Sequence, residues 1–429
     1  MILFIYRLFM VLLYVVARMV GWVYRDPSFQ ERLGLYQKED LRKLSTGYNV
    51  WLHAASTGEV NAITPFCHAF RKAKPEARIV LTTTSETGKK IALEKKLADC
   101  VFLAPLDEHW PLKRAFQAFR PVMVLVAETE FWPSWLRRAG QNGLPVLLIN
   151  GRISDRSFPS YLKLKKFFGP ALNSFSLCLV QTPQDADRLA ALGVSMKRIL
   201  LAGQMKYDRQ APDAMAVQNF KEKLCLMNKD ILFTLGSLRS GEDDQLLPLV
   251  PEILRFSPDV KILIAPRHVK NAPVYREKLK ALGVSNVFRS ELEKEQTPER
   301  VIVLDTVGEL SLAYAFSRAA FVGGTLVPIG GHNVMEPALS HVPVCFGPYT
   351  QNVGEAAQAL IESGGGFLVD NGQDVVKVFE KFLDSGLSKE AGHRAHDAVV
   401  SMRGATERTV REVMNHWPVD TSSGTVKNL

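Results

Sequence analysis

The residues best placed for proton chemistry are glutamates in two short motifs. The first, HAASTGEV, ends an apolar run at residues 49–54 and leads into a helical pattern over residues 60–72. A carboxylate at such a strand-to-helix turn can take a proton from an attacking hydroxyl, which is a role for Glu59. Ser56 and Glu59 also stand in the S-x-x-E relation of a capping box, so the same spacing lets Glu59 simply cap its helix. The second motif, AETEFWPSW, follows the run at residues 122–127. Glu128 and Glu130 lie two apart, and in an extended segment they share one face, beside Trp132, Pro133 and Trp135.

In the second half the informative loops read GSLRSGED (residues 236–243), APRH (265–268) and GGTLVPIGGHNVMEPA (323–338). Glycines at 323, 324, 330 and 331 allow a close backbone approach, and Asn333 can open a helix whose free N–H groups face an anion. Arg267 can grip a phosphate with two parallel hydrogen bonds, and Glu336 can accept from ribose hydroxyls. Together these suggest a nucleotide-phosphate site. TTTSETGKK (82–90) lacks the leading glycine of a phosphate loop. Asp185 and Asp187 sit where a helix begins, as dipole partners rather than metal ligands. His53, His268 and His332 show no ligand spacing with carboxylates, so neither a catalytic metal nor a cofactor is expected.

These motifs need strands to hold them. Short apolar runs alternate with amphipathic stretches, first at residues 49–54, 78–82, 100–103, 122–127, 145–150 and 177–180, then again at 231–235, 261–265, 301–304, 320–322 and 342–346. That is the pattern of two doubly wound α/β domains, with ligands at the carboxyl ends of the strands in a cleft between them. The polar stretch KYDRQAPD (206–213) reads as the linker, which gives domains at 25–206 and 207–418 and a disordered tail at 419–429.

Composition limits the choice further. The 429 residues are 47% hydrophobic and 23% charged, which excludes collagen-like, disordered and miniature folds. The five cysteines, Cys67, Cys100, Cys178, Cys225 and Cys345, lack CxxC spacing, so no disulfide framework is expected. The net charge is +9, but residues 1–206 carry 29 Lys and Arg against 16 Asp and Glu, while residues 207–429 carry 24 against 28. A first half at +13 beside a second half at −4 points to a polyanion at the first half, an anionic membrane or a nucleic acid. Residues 1–24, apolar except for Arg7 and Arg18, favour the membrane. No small-residue cleavage site follows, so these residues read as an uncleaved anchor helix, either spanning the bilayer or lying in one leaflet with both arginines snorkelling. The lysine- and aromatic-rich segment 160–168 could touch head groups as well.

In order along the chain, HAASTGEV, TTTSETG, AETEFWP, NGRIS, GQMKYD, APRH, DTVGEL and GGTLVPIGGHNVMEP resemble the motif series of the Kdo transferase family. Those enzymes move 3-deoxy-D-manno-octulosonic acid (Kdo) from CMP-Kdo to the lipid A precursor of lipopolysaccharide. The resemblance runs from the anchor to about Gly347. It implies a GT-B fold of two Rossmann-like domains, metal-independent inverting transfer to a hydroxyl of lipid IVA, and attachment to the cytoplasmic face of the inner membrane. The partners implied are CMP-Kdo, the lipid A precursor and the membrane surface, with no nucleic acid. Carried over by motif, the general base is Glu59 and the transition-state stabilisers are Glu128 and Lys206. The CMP contacts are Pro266, Arg267, Val307, Gly308, Glu309, Asn333, Val334, Met335 and Glu336. The sequence departs from the family at Gly151, at Gln204 and in LRSGE, where many members have THxGE; the last leaves Leu238 and Arg239 without an assigned donor contact. The alternatives are another GT-B glycosyltransferase with a lipid-linked acceptor, or an anchored nucleotide-sugar sensor that would not need Glu59.

Overall fold

Strands rich in Val, Ile and Leu form two wholly parallel sheets, as chains buried on both faces do. The computed structural model describes residues 2–24, 26–44, 47–208, 211–292 and 299–418. The chain divides into one unit of Met1–Arg209 with Arg403–Leu429, and a second of Gln210–Met402.

The first unit contains β1 (Tyr48–His53), β2 (Ala77–Thr83), β3 (Cys100–Leu103), β4 (Pro121–Ala127), β5 (Val146–Gly151), β6 (Leu177–Val180) and β7 (Ile199–Leu201). Their order is β3-β2-β1-β4-β5-β6-β7. Alternate residues serve alternate faces: Trp51, Val80, Val124 and Leu148 pack in one core, and Val50, Leu52, Leu125 and Leu147 in the other. The second unit contains β8 (Ile231–Leu238), β9 (Val260–Pro266), β10 (Val287–Phe288), β11 (Val301–Val303), β12 (Ala319–Val322), β13 (Val344–Phe346) and β14 (Gly366–Leu368), in the order β10-β11-β9-β8-β12-β13-β14.

In each sheet the strand order reverses beside the first strand, between β1 and β4 and between β8 and β12. The crevice at the carboxyl ends of such a pair is where doubly wound sheets hold ligands. The glutamate motifs follow β1 and β4, and the glycine-rich loops follow β8 and β12. Three strands escape the sequence pattern, β7, β10 and β14, and all three are sheet edges. Each has only two or three residues, apolar but too few to stand out as a run, and both residues of β10 are half-buried.

Two expectations are corrected. The second domain does not extend to residue 418, because the helix Ala405–Asn415 belongs to the first unit. Ala405, Val410 and Val413 complete one of its cores, Asp208 accepts from Gly404 N and Thr406 N, both at 2.5 Å, and Arg408 Nε donates to Ala202 O at 2.8 Å. The tail at 419–429 lies outside the described residues.

The second correction concerns the anchor's bilayer-spanning form. Ile2–Tyr24 is a helix, but among the described residues no helix is long and apolar enough to cross a membrane. Instead, one stripe packs on the first unit. Tyr6 donates to Asp107 Oδ2 at 2.6 Å and meets Phe167 edge to face, and Met10, Tyr14 and Ala17 are buried. Spacings of three and four put these residues on one face. Ile5, Leu8, Phe9, Leu12, Val15, Val16 and Met19 remain exposed on the others.

Candidate active site

At the exit of β1, Ser56 caps the helix Thr57–Ala62, its Oγ accepting from Glu59 N at 3.2 Å. The Glu59 carboxylate accepts from Ala55 N at 2.8 Å and from Ser56 Oγ at 3.0 Å. It thus reaches one residue beyond the helix cap, and capping is part of what it does. Capping does not exhaust it, because the carboxyl is raised from 4.5 to about 7, chiefly by burial and then by the charges of Glu130 and Glu128, against which two hydrogen bonds are insufficient.

The two glutamates after β4 do not share a strand face. The strand ends at Ala127, and Glu128 takes a left-handed conformation with φ 55°, its N–H donating to Ile149 O at 3.1 Å. That turn, uncommon for a residue with a side chain, sends the carboxylates to different partners. Burial raises Glu128 above its ordinary range, opposed by the cations Arg152 and Lys206. Asn150, at the end of β5, connects these groups: its Nδ2 lies 3.5 Å from Glu128 Oε1, and its Oδ1 accepts from Met205 N at 3.2 Å. Burial pushes Glu130 up too, but His53 and the Trp132 indole prevail and hold it below the usual range. Trp132 Nε1 donates to Glu130 Oε2 at 2.7 Å, and His53 Nε2 stands 3.8 Å from the same oxygen. His53 is buried, with Nδ1 2.9 Å from Thr82 Oγ1.

The structure therefore brings Glu59, Glu128 and Lys206 into one electrostatic neighbourhood and adds Glu130, His53 and Arg152. Asp185 is a structural residue. Buried at the start of the helix Pro183–Ala191, it accepts from Ile153 N at 2.8 Å and Thr182 Oγ1 at 2.6 Å.

In the second unit the charge is reversed. Arg239, just past β8, donates through Nε to His332 Nε2 at 3.1 Å, and its NH1 lies 3.1 Å from His268 Nε2. Burial, followed by the charges of Arg267, Arg239 and His268, lowers His332 to about 4, so near neutral pH it is an uncharged acceptor. Arg267 follows Pro266 at the end of β9, its backbone N–H donating to Leu238 O at 2.9 Å. The sequence left Arg239 unassigned; the fold sets it beside Arg267.

The glycine-rich loop after β12 is fixed by a residue that sequence reading passed over. Glu242 is fully buried and accepts four backbone N–H groups, from Arg239 at 2.9 Å, Gly324 at 2.7 Å, and Thr325 and Leu326 at 2.9 Å each. Gly323 must be glycine here, since a Cβ would stand 2.5 Å from the Ser237 carbonyl oxygen. Asn333 accepts from Met335 N at 3.1 Å and donates to Glu336 Oε1 at 3.1 Å. The helix that follows, Met335–Leu339, is short, with Val334 at its N-cap and Met335 and Glu336 in its first turn. Val307, Gly308 and Glu309 lie on the loop after β11, with Val307 86% exposed. The Glu309 carboxylate is turned to Arg289, at 3.0 Å, and to Thr306. Among the described residues, no group of three or more His, Cys, Asp or Glu could hold a metal ion.

Comparison with known proteins agrees with these motifs. Residues 27–209 match the family model of 3-deoxy-D-manno-octulosonic-acid transferase (kdotransferase). The 3-deoxy-D-manno-octulosonic acid transferase of Haemophilus influenzae is 31% identical over 84% of this chain and 85% of its own length. A bifunctional glycosyltransferase/methyltransferase of Fusobacterium nucleatum is 28% identical over 88% of this chain, which spans only 60% of that protein. Among solved structures, a glycosyltransferase from Rickettsia africae superposes with a TM-score of 0.57 at 12% identity, covering 87% of this chain and 100% of that one, a likeness of fold alone. By its similarity to proteins such as the Haemophilus enzyme over most of both lengths, this chain belongs to the Kdo transferase family and is a glycosyltransferase.

Proposed function

We propose that the chain transfers Kdo from CMP-Kdo to a hydroxyl of the lipid A precursor, with inversion and without a metal. The observation that carries this reading is Glu59, a half-buried carboxyl raised to about 7 beside two other carboxylates. A general base works best when its proton affinity is matched to the pH of operation. The acceptor oxygen attacks the anomeric carbon as the bond to the CMP phosphate breaks. Glu59 takes the hydroxyl proton, and CMP leaves with the electron pair. Positive charge developing on the sugar ring is met by Glu128, and Lys206, on the other side of that carboxylate's balance, helps keep it ionised.

In the second unit Arg267 and Arg239 take up phosphate charge. His332, being uncharged, adds no positive charge to that group. Glu336, positioned by Asn333, accepts from the ribose. Pro266 and the backbones of Val307, Gly308, Val334 and Met335 complete the nucleotide contacts, with Glu309 shaping its loop through Arg289. The exposed apolar face of Ile2–Tyr24 lies in one leaflet at the cytoplasmic face of the inner membrane, where the basic first half meets anionic lipid.

The test is conversion of CMP-Kdo to CMP by the full chain with dispersed lipid A precursor. Release of CMP that depends on the acceptor, with Kdo recovered on the lipid, is expected. Tight CMP-Kdo binding without any acceptor-dependent turnover would favour a sensor.

A further inference from the structure

A cavity of about 320 Å³ in the first unit is lined by none of the residues assigned above. It lies among the helix Ile2–Tyr24, the start of the helix His109–Phe119 and the helix Pro133–Gln141, and its volume is in the range of small-ligand sites. Its basic lining is Arg7, His109, Arg137 and Arg138. Two acids also line it, with both oxygens of Asp107 and one of Glu108 engaged by donors. Asp107 accepts from Tyr6 OH at 2.6 Å, Ser134 N at 2.9 Å and Trp135 N at 2.7 Å, and Glu108 accepts from Trp110 N at 2.8 Å. Among the described residues, Arg7, Arg137 and Arg138 have no carboxylate partner. Arg138 Nε is buried with no hydrogen-bond partner, its guanidinium 6.0 Å from the Phe116 ring centre.

Three arginines line one cavity, and guanidinium forks suit a phosphate, which can accept paired hydrogen bonds from such a fork. The cavity also borders the exposed apolar surface of the N-terminal helix, since Arg7 and Val11 line it while Leu8, Leu12 and Val15 stand exposed alongside. Charge and grease thus meet in the order in which a lipid presents them. We propose that this cavity binds the phosphate of an anionic phospholipid through Arg7, Arg137 and Arg138, with the acyl chains running along the apolar face of Ile2–Tyr24. The inference rests on the reading that this helix lies in a bilayer surface, and it makes the attachment selective for lipid charge.

The test uses the full chain, the double variant Arg7→Gln/Arg137→Gln, and a control, Lys223→Gln/Lys389→Gln, that removes the same charge from an exposed surface of the second unit. Binding is measured to phosphatidylcholine vesicles with and without phosphatidylglycerol. Each basic group at an anionic surface contributes about fivefold, so the double variant should lose about thirtyfold in affinity for the anionic vesicles and keep its affinity for neutral ones. The control should lose much less. A short-chain phosphatidylglycerol below its micelle concentration should change the tryptophan fluorescence of the unaltered chain and not of the double variant. That arm needs no bilayer, so it decides the cavity even if the chain binds no vesicles and the membrane reading falls. Four results would overturn the proposal: an undiminished anionic preference in the variant, an equal loss in the control, displacement of the short-chain lipid by an equal concentration of inorganic phosphate, or a raised KM for dispersed lipid A precursor in the double variant, which would assign the cavity to the acceptor.

Discussion

Both sheets are parallel and reverse their strand order beside the first strand, yet they end in opposite charge. The first half of the chain carries +13, yet the strand ends of its unit gather Glu59, Glu128 and Glu130; the second half carries −4, yet its strand ends gather Arg239, Arg267, His268 and His332. Net charge and site charge serve different ends, one the surface a domain meets and the other the atom it acts on. The glutamates that follow the first strand of each sheet sharpen the contrast. Glu242 is sealed by four backbone N–H groups, and Glu59 has two hydrogen bonds and two carboxylate neighbours. The buried carboxylate that is saturated with donors holds a loop in shape. The one left short of donors is the one that can take a proton.

The largest expected effect therefore falls on Glu59. Glu59→Gln keeps an oxygen for Ala55 N and so retains the cap, but it cannot accept the acceptor's proton. We expect normal folding and CMP-Kdo binding with kcat reduced about 10²- to 10⁴-fold. Near-normal turnover in a stable variant would erase the distinction between the two glutamates and leave capping as the whole role of Glu59.

On the cationic side the expected loss is smaller and appears in binding. Arg267→Ala removes a charge-assisted phosphate contact worth about 1.5 to 3 kcal/mol, so CMP-Kdo affinity, read by titration calorimetry, should fall roughly ten- to a hundredfold. Unchanged affinity would mean that Arg239 alone receives the phosphate.

What the sequence made legible follows from burial. Central strands covered on both faces must be apolar, so β1, β4, β8 and β9 stood out, whereas β7, β10 and β14, of two or three residues each, left too little signal. The return of Ala405–Asn415 to the first unit was hidden because an amphipathic helix shows that it has an apolar face and not which core receives it. Motif reading singled out Glu59, Glu128 and Arg267 as candidates, each soon after an apolar run. It passed over Glu242, since the four N–H groups that give it a role come from both ends of a crossing between distant strands. It likewise read Glu128 and Glu130 as one face, because a left-handed turn at a glutamate leaves no mark on residue type.

The smallest effect expected is a shift in pH dependence, and it tests whether neighbouring carboxylates act on the base at all. Burial is the largest cause of the raised Glu59 value, and the Glu130 charge comes next. Glu130→Gln leaves burial in place, keeps an oxygen for the Trp132 indole and removes only the charge. The acid limb of kcat/KM, set near 7 in the unaltered enzyme, should move downward without reaching the ordinary 4.5. At pH above 8 the variant should be slower by less than about tenfold, because a less basic carboxylate takes a proton less readily. Stability provides a second readout. A folded value above the unfolded one means that the folded protein holds a proton the unfolded chain releases, so stability falls as pH rises from about 4.5 to about 7. In Glu130→Gln that decline should end at a lower pH. If neither the rate limb nor the stability profile moved, the Glu130 charge would not reach the base, and the acidity of the first unit's strand ends would bear on Glu59 through Glu128 alone.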